Sequence, residues 1–263
     1  MRFKFPFLAV GITVGLLNFG AGCASFTLPS TIQVQRWQRK ADKGEPIAQY
    51  NLGSCYLNGQ GIETNYSEAV KWFRKAADQG NAKAQCSLGM AYSNGLGIGR
   101  DSDESLKWFR KAAEHGDSAA QYNLGVFYQK GISVDRDHAE AVQWYQKSAD
   151  QEFAKAQYNL GLAYAEGRGV EKDDSMAVKW FRKSAEHGDI EAQYDLGACC
   201  DLGIGMEKNP QTAYGWFLLA KNRGNNKASL KLASLEKSLS PAQLESARSW
   251  ARQWKPEKPV ESM

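Results

Sequence analysis

Six residues, Ala48-Gln49-Tyr50-Asn51-Leu52-Gly53, return unchanged at Ala120 to Gly125 and again at Ala156 to Gly161. Looser copies begin at Ala84 and Ala192, and every offset is a multiple of 36 residues. Other positions keep the same step: Trp72, Trp108, Trp144, Trp180 and Trp216, each followed by Phe or Tyr. Five copies in one register confine the chain to architectures built from stacked units. A unit this short cannot bury its apolar face alone, so neighbouring copies must cover it.

Each unit reads as two helices. In the first, Ala48, Leu52 and Tyr56 stand four apart and share a face. In the second, Ala69, Trp72, Phe73, Ala76 and Ala77 follow the i, i+3, i+4, i+7, i+8 pattern of an amphipathic helix. Gly59 and Gly61 make the turn between them, repeated as Gly95/Gly97, Gly167/Gly169 and Gly203/Gly205. Asn65, Asp101, Asp137, Asp173 and Asn209 occupy one slot as N-caps of the second helix. Glu68, Glu104 and Glu140 stand three residues later, where a capping box would place them, and Pro210 suits a first helical position. Gly44, Gly80, Gly116, Gly188 and Gly224 mark the exits. The third unit departs twice, with Ser133 for the second turn glycine and Glu152 for the exit glycine.

The units run over 45–80, 81–116, 117–152, 153–188 and 189–224. The ends look different, as the ends of a stack must. Residues 31–43 read as a lone leading helix with Trp37 and Ala41 near the expected slots. After the fifth unit, capping helices fill 225–255: Ala228, Leu230 and Leu232 begin one. Ser240-Pro241-Ala242-Gln243 opens another, whose apolar face is Leu244, Ala247, Trp250 and Trp254. Residues 256–263 form a tail.

Residues 1–22 stand outside this pattern. Arg2 and Lys4 precede an almost wholly apolar run, Phe5 to Phe19, and small residues lead to Cys23. That layout predicts a secretory signal peptide, too short to be a membrane-spanning helix. Gly20-Ala21-Gly22-Cys23 is similar to a bacterial lipobox, with Gly20 where leucine is usual. The expectation is a lipidated Cys23, a linker over 23–30, and an outer-membrane lipoprotein facing the periplasm. Cleavage after Ala24, giving a soluble periplasmic or secreted chain, is the alternative. Removing Arg2 and Lys4 with the signal lowers the formal charge from +4 to +2. The remaining cations are interspersed with acids, which speaks against nucleic acid as a partner.

The Ala-x-x-x-Leu-Gly start, the Tyr four residues after the Leu, the Gly-x-Gly-[Ile/Val] turn and the Ala-x-x-Trp-Phe/Tyr-x-x-Ala-Ala helix resemble the Sel-one-like repeat (SLR). This family is related to the tetratricopeptide repeat, and the resemblance covers roughly residues 45–235. It implies an all-α fold: a right-handed α-solenoid of five 36-residue helix-turn-helix repeats with helical caps at both ends. It also implies a non-catalytic, monomeric scaffold of the bacterial cell envelope that binds a protein or peptide and needs no cofactor. Alternatives from other classes are peptidoglycan or β-lactam-related binding or hydrolysis, and a secreted factor contacting a host protein.

Catalytic and metal chemistry find little support in the residues. Gly95-x-Gly97-x-Gly99 lacks the flanking strand and the Lys-Ser/Thr of a phosphate loop, and its spacing recurs as a turn. Ser234-Leu235-Glu236-Lys237 has the Ser-x-x-Lys spacing of β-lactamases without their other motifs, so a charged helix surface explains it better. His115 and His187 share one inter-repeat slot and His138 adjoins an N-cap; solvated positions and no metal site are expected. Cys55, Cys86, Cys199 and Cys200 do not supply a pair per repeat, unlike disulfide-bonded relatives. Free, mostly buried thiols are expected, with Cys55–Cys86 the one conceivable bond.

By analogy with the tetratricopeptide arrangement, the slots of Tyr50, Ser54 and Asn58 line the concave face. Tyr122, Tyr158 and Tyr194 continue the ladder, with Cys86 in the second copy. Aromatic hydroxyls beside amides can grip an extended peptide; the alternative is that these rings only pack between repeats.

Overall fold

The computed structural model describes residues 31–257, all of whose regular elements are helices. The signal segment, the linker and Cys23 lie outside the described residues. First helices are α2 (Pro46–Asn58), α4 (Ala82–Asn94), α6 (Ser118–Lys130), α8 (Ala154–Glu166) and α10 (Ile190–Leu202). Second helices are α3 (Tyr66–Asp78), α5 (Ser102–Glu114), α7 (His138–Asp150), α9 (Asp174–Glu186) and α11 (Pro210–Asn222). The leading helix is α1 (Thr31–Asp42); α12 (Ala228–Leu235) and α13 (Pro241–Gln253) close the stack. Successive helices pack on one another, so the chain is an α-solenoid.

All five expected N-caps accept a backbone N–H at the start of their second helix. The expected capping boxes at Glu68, Glu104 and Glu140 do not form. Each cap's own N–H is already taken by the preceding first helix, as in Asn65 N–H to Tyr56 O and Asp101 N–H to Tyr92 O. The glutamates turn elsewhere, Glu68 to Lys71, Glu104 to Lys107 and Glu140 to the Trp144 indole. Among the described residues one capping box is present, at Ser240 and Gln243.

Packing explains the glycine inside each first helix. A Cβ on Gly161 would come 2.6 Å from the Phe181 ring, so the helix backbone itself forms the seat for that ring. Between units, each Trp reaches back: Trp72 packs with Val34 and Ala41 of α1, Trp108 with Ala77, and Trp180 with Ala149. A lysine one turn on covers it, with Lys75, Lys111, Lys147 and Lys183 ammonium groups 3.9, 4.2, 3.8 and 4.5 Å from the ring centroids. Leu52, Leu88, Leu124, Leu160 and Leu196 are fully buried along the axis.

The fifth unit breaks this pattern where no sixth follows. Gly215 stands where other units carry Lys or Gln, and Leu219 replaces the covering lysine. The space admits Trp250 of α13, which meets Trp216 edge-on at 5.0 Å, with Trp254 at 6.2 Å. In α12 Ala228, Leu232 and Leu235 share the buried face at helical spacing, while Leu230 points out to solvent.

Candidate interaction face

Four of the five ladder positions are half-buried tyrosines whose rings rest on the second-helix aromatic. Centroid distances are 5.9 Å for Tyr50–Phe73, 6.0 Å for Tyr122–Tyr145, 5.8 Å for Tyr158–Phe181 and 5.5 Å for Tyr194–Phe217. The hydroxyls reach forward to the next unit. Tyr158 donates to Asp195 Oδ2 at 2.9 Å, and Tyr122 is hydrogen-bonded to the Asn159 side chain. These two tyrosines therefore join repeats. Burial, then nearby carboxylates, raises both phenols, Tyr122 to about 12. Asp195 occupies a slot that holds Asn or Ser in the other four units. Burial pushes its carboxyl up to about 6 despite the Tyr158 bond, with Glu191 and Asp189 adding and Lys227 opposing.

Ser54 donates to its own helix at Tyr50 O, 3.0 Å away, and Asn58 ends α2 half-buried. In the second unit Cys86 takes the tyrosine position, buried, its thiol hydrogen-bonded to the Asp117 carboxylate that caps α6. Cys55, Cys86, Cys199 and Cys200 are all free and buried, and burial raises every thiol, Cys55 to about 11 and Cys199 to about 12. Such groups are poor nucleophiles and poor metal ligands. Among the described residues, no three His, Cys, Asp or Glu side chains are placed to hold a metal, and no helix is long and apolar enough to cross a membrane.

A second ladder escaped the reading of the sequence. Gln49, Gln85, Gln121, Gln157 and Gln193 are buried, and each Nε2 donates to an alanine carbonyl eight residues back. The Oε1 atoms accept from the residue thirty positions on: Gln79, His115, Gln151 and His187. His187 is thus buried at 8 % exposure, correcting the expectation that it is solvated, whereas His115 stays exposed while bonding Gln85. In the fifth unit the donor slot is Arg223, which bonds Gly188 O instead and leaves Gln193 Oε1 buried without a hydrogen bond. The signal was present: a polar residue recurring unchanged between two apolar slots.

The Sel1 repeat model matches residues 46–81, 82–117, 118–153, 154–189 and 190–225. The chain belongs to the Sel1 repeat family. A Sel1 repeat protein of Oxalobacter formigenes is 33% identical over 86% of this chain and 94% of its own, with a TM-score of 0.70. A protective antigen of uropathogenic Escherichia coli, described as displaying an SLR fold, is 31% identical over 86% of this chain and 56% of its own, at 0.58. An immunity protein of Pseudomonas aeruginosa shares the fold at 18% identity, 87% and 76% coverage and a TM-score of 0.50. No curated protein matches the chain. Sel1 repeat proteins generally act as protein-interaction scaffolds.

Proposed function

We propose that this Sel1 repeat chain is an exported, non-catalytic scaffold of the bacterial envelope that holds a protein or peptide along its first helices. The observation that carries the reading is the tyrosine ladder. Tyr50, Tyr158 and Tyr194 recur at one register on first helices, each backed by a buried Phe and left half-exposed beside amide, hydroxyl or carboxylate groups. Rigid aromatic anchors with adjacent polar groups are the usual currency of peptide recognition. The binding face is the concave one, the chain is anchored through Cys23, and the protomer acts alone.

A photo-crosslinking residue at Ser54 in living cells tests this. It should trap one discrete protein, whereas the same residue at Lys237, in the turn after α12, should not. Replacing Tyr50 and Tyr194 with Phe keeps the rings on Phe73 and Phe217, so the helical signal and melting should hold while crosslink yield falls at least tenfold. Equal trapping from both positions, or a yield untouched by the double replacement, overturns the assignment.

A further inference from the structure

The end of the solenoid formed by α1 has no preceding repeat. Val34 and Ala41 bury one side of α1 against the first unit. On the opposite side Ile32, Arg36 and Arg39 fall in a stripe at i, i+4 and i+7 along the helix, and Lys43 follows in the turn just past its end. All four are exposed, Ile32 at 65 %. No carboxylate lies on the stripe. The two acids at its flank are engaged elsewhere, Glu45 with Lys40 at 3.4 Å and Asp42 with Gln38 at 2.9 Å.

In the later second helices the corresponding face carries the tryptophan of slots 72, 108, 144, 180 and 216, which packs back on the unit before it. On α1 the corresponding slot holds Arg36. A cap needs only a polar surface to stay soluble. Glutamate, lysine or glutamine would serve equally, so a stripe of three cations and one exposed isoleucine with no acid calls for a more specific account.

We propose that this stripe rests on the anionic headgroups of a phospholipid layer. Cations on a helix face attract anionic lipid, and an apolar residue among them enters the headgroup boundary. The tether supplies the second argument. Seven residues lie between Cys23 and Thr31, so the two are at most about 28 Å apart at full extension. A chain anchored at Cys23 therefore holds α1 within reach of the surface and points the rest of the solenoid away from it. This orientation rests on the lipid-anchor reading; the lipid affinity of the stripe does not.

The test uses the chain from Ala24 onward, made without the signal segment and so without a lipid, mixed at low salt with vesicles of phosphatidylcholine alone or with roughly 30–40% phosphatidylglycerol to supply an anionic surface. Co-sedimentation should appear only with the anionic vesicles and fade as salt rises, since headgroup attraction is screened. Arg36→Gln, Arg39→Gln and Lys43→Gln together should weaken partitioning roughly 100-fold, at about fivefold per cation. Removing three cations from the far end, Lys231, Lys237 and Arg252, should leave it unchanged. No binding to anionic vesicles, or binding that survives the α1 replacements in a chain with unchanged melting, overturns the proposal. Fatty-acid labelling of the unmodified chain, lost on Cys23→Ala, reads the anchor separately: vesicle binding without labelling would reject the anchor and keep the lipid surface.

Discussion

The joint between the third and fourth repeats and the joint between the fourth and fifth use the same slots with opposite compromises. In the first, Tyr122 meets an amide, Asn159, and the polar contact is comfortable. Its backbone is not: Glu152 sits at φ 64, in the left-handed region that glycine occupies in the other exits. Phe153 replaces the aspartate that caps α6 and α10, leaves α8 without a side-chain cap, and is buried against Tyr122 at 5.4 Å. In the second joint the backbone is at ease, with Gly188 at φ 90 and Asp189 capping α10. There the polar contact is strained, because Tyr158 meets a carboxylate in a buried setting. Stacking geometry holds the backbone path constant, and residues that dislike it are tolerated when a neighbour offsets the cost.

Exchanging residues between the joints should expose each compromise. Phe153→Asp gives the first joint the cap of the second. It restores about 1 kcal/mol of capping and gives up a buried aromatic worth about 3–5 kcal/mol, a net loss of roughly 2–4 kcal/mol in urea unfolding. Stability equal to the parent would show that Phe153 contributes little to the Tyr122 contact.

Asp195→Asn gives the second joint the amide of the first. The Asp195 carboxyl is raised in the folded chain, so the fold favours its protonated form. That contribution is present below the ordinary carboxylate range and is lost as pH rises through about 6. The variant should therefore match the parent near pH 4 and exceed it by about 1–2 kcal/mol at pH 7.5. Melting curves between those values decide it, and a constant difference across the range would show that another group titrates.

Glu152→Gly carries the smallest expected change, a gain of up to ~1 kcal/mol from relieving the left-handed backbone. A lower melting temperature would mean that contacts of the Glu152 side chain outweigh the strain.

The repeat register, the five second-helix caps, the exit glycines and both capping ends were legible in the sequence because each is a local device repeated every 36 residues. What escaped depends on distance across the stack. The Glu68 and Glu104 boxes fail because Tyr56 and Tyr92 carbonyls, brought in by the turn, take the cap N–H first. The Gln49-to-Gln193 ladder and buried His187 are invisible to any rule that places polar side chains outside. At the candidate face, the tyrosines were found by register, whereas the forward bonds of Tyr122 and Tyr158 needed the next repeat in place.

The substitutions that admit Trp250 have a consequence for how such a chain changes over generations. Tyr214, Gly215 and Leu219 confine the terminating surface to the second helix of the last unit, and α1 confines the opening surface to the leading helix. Everything between repeats at one period. A duplication or deletion of one whole period upstream of Tyr214 leaves both ends intact and joins like to like. The gene can thus lengthen or shorten the protein in single steps of 36 codons, while a copy inserted after Tyr214 would meet a surface already shaped to refuse it.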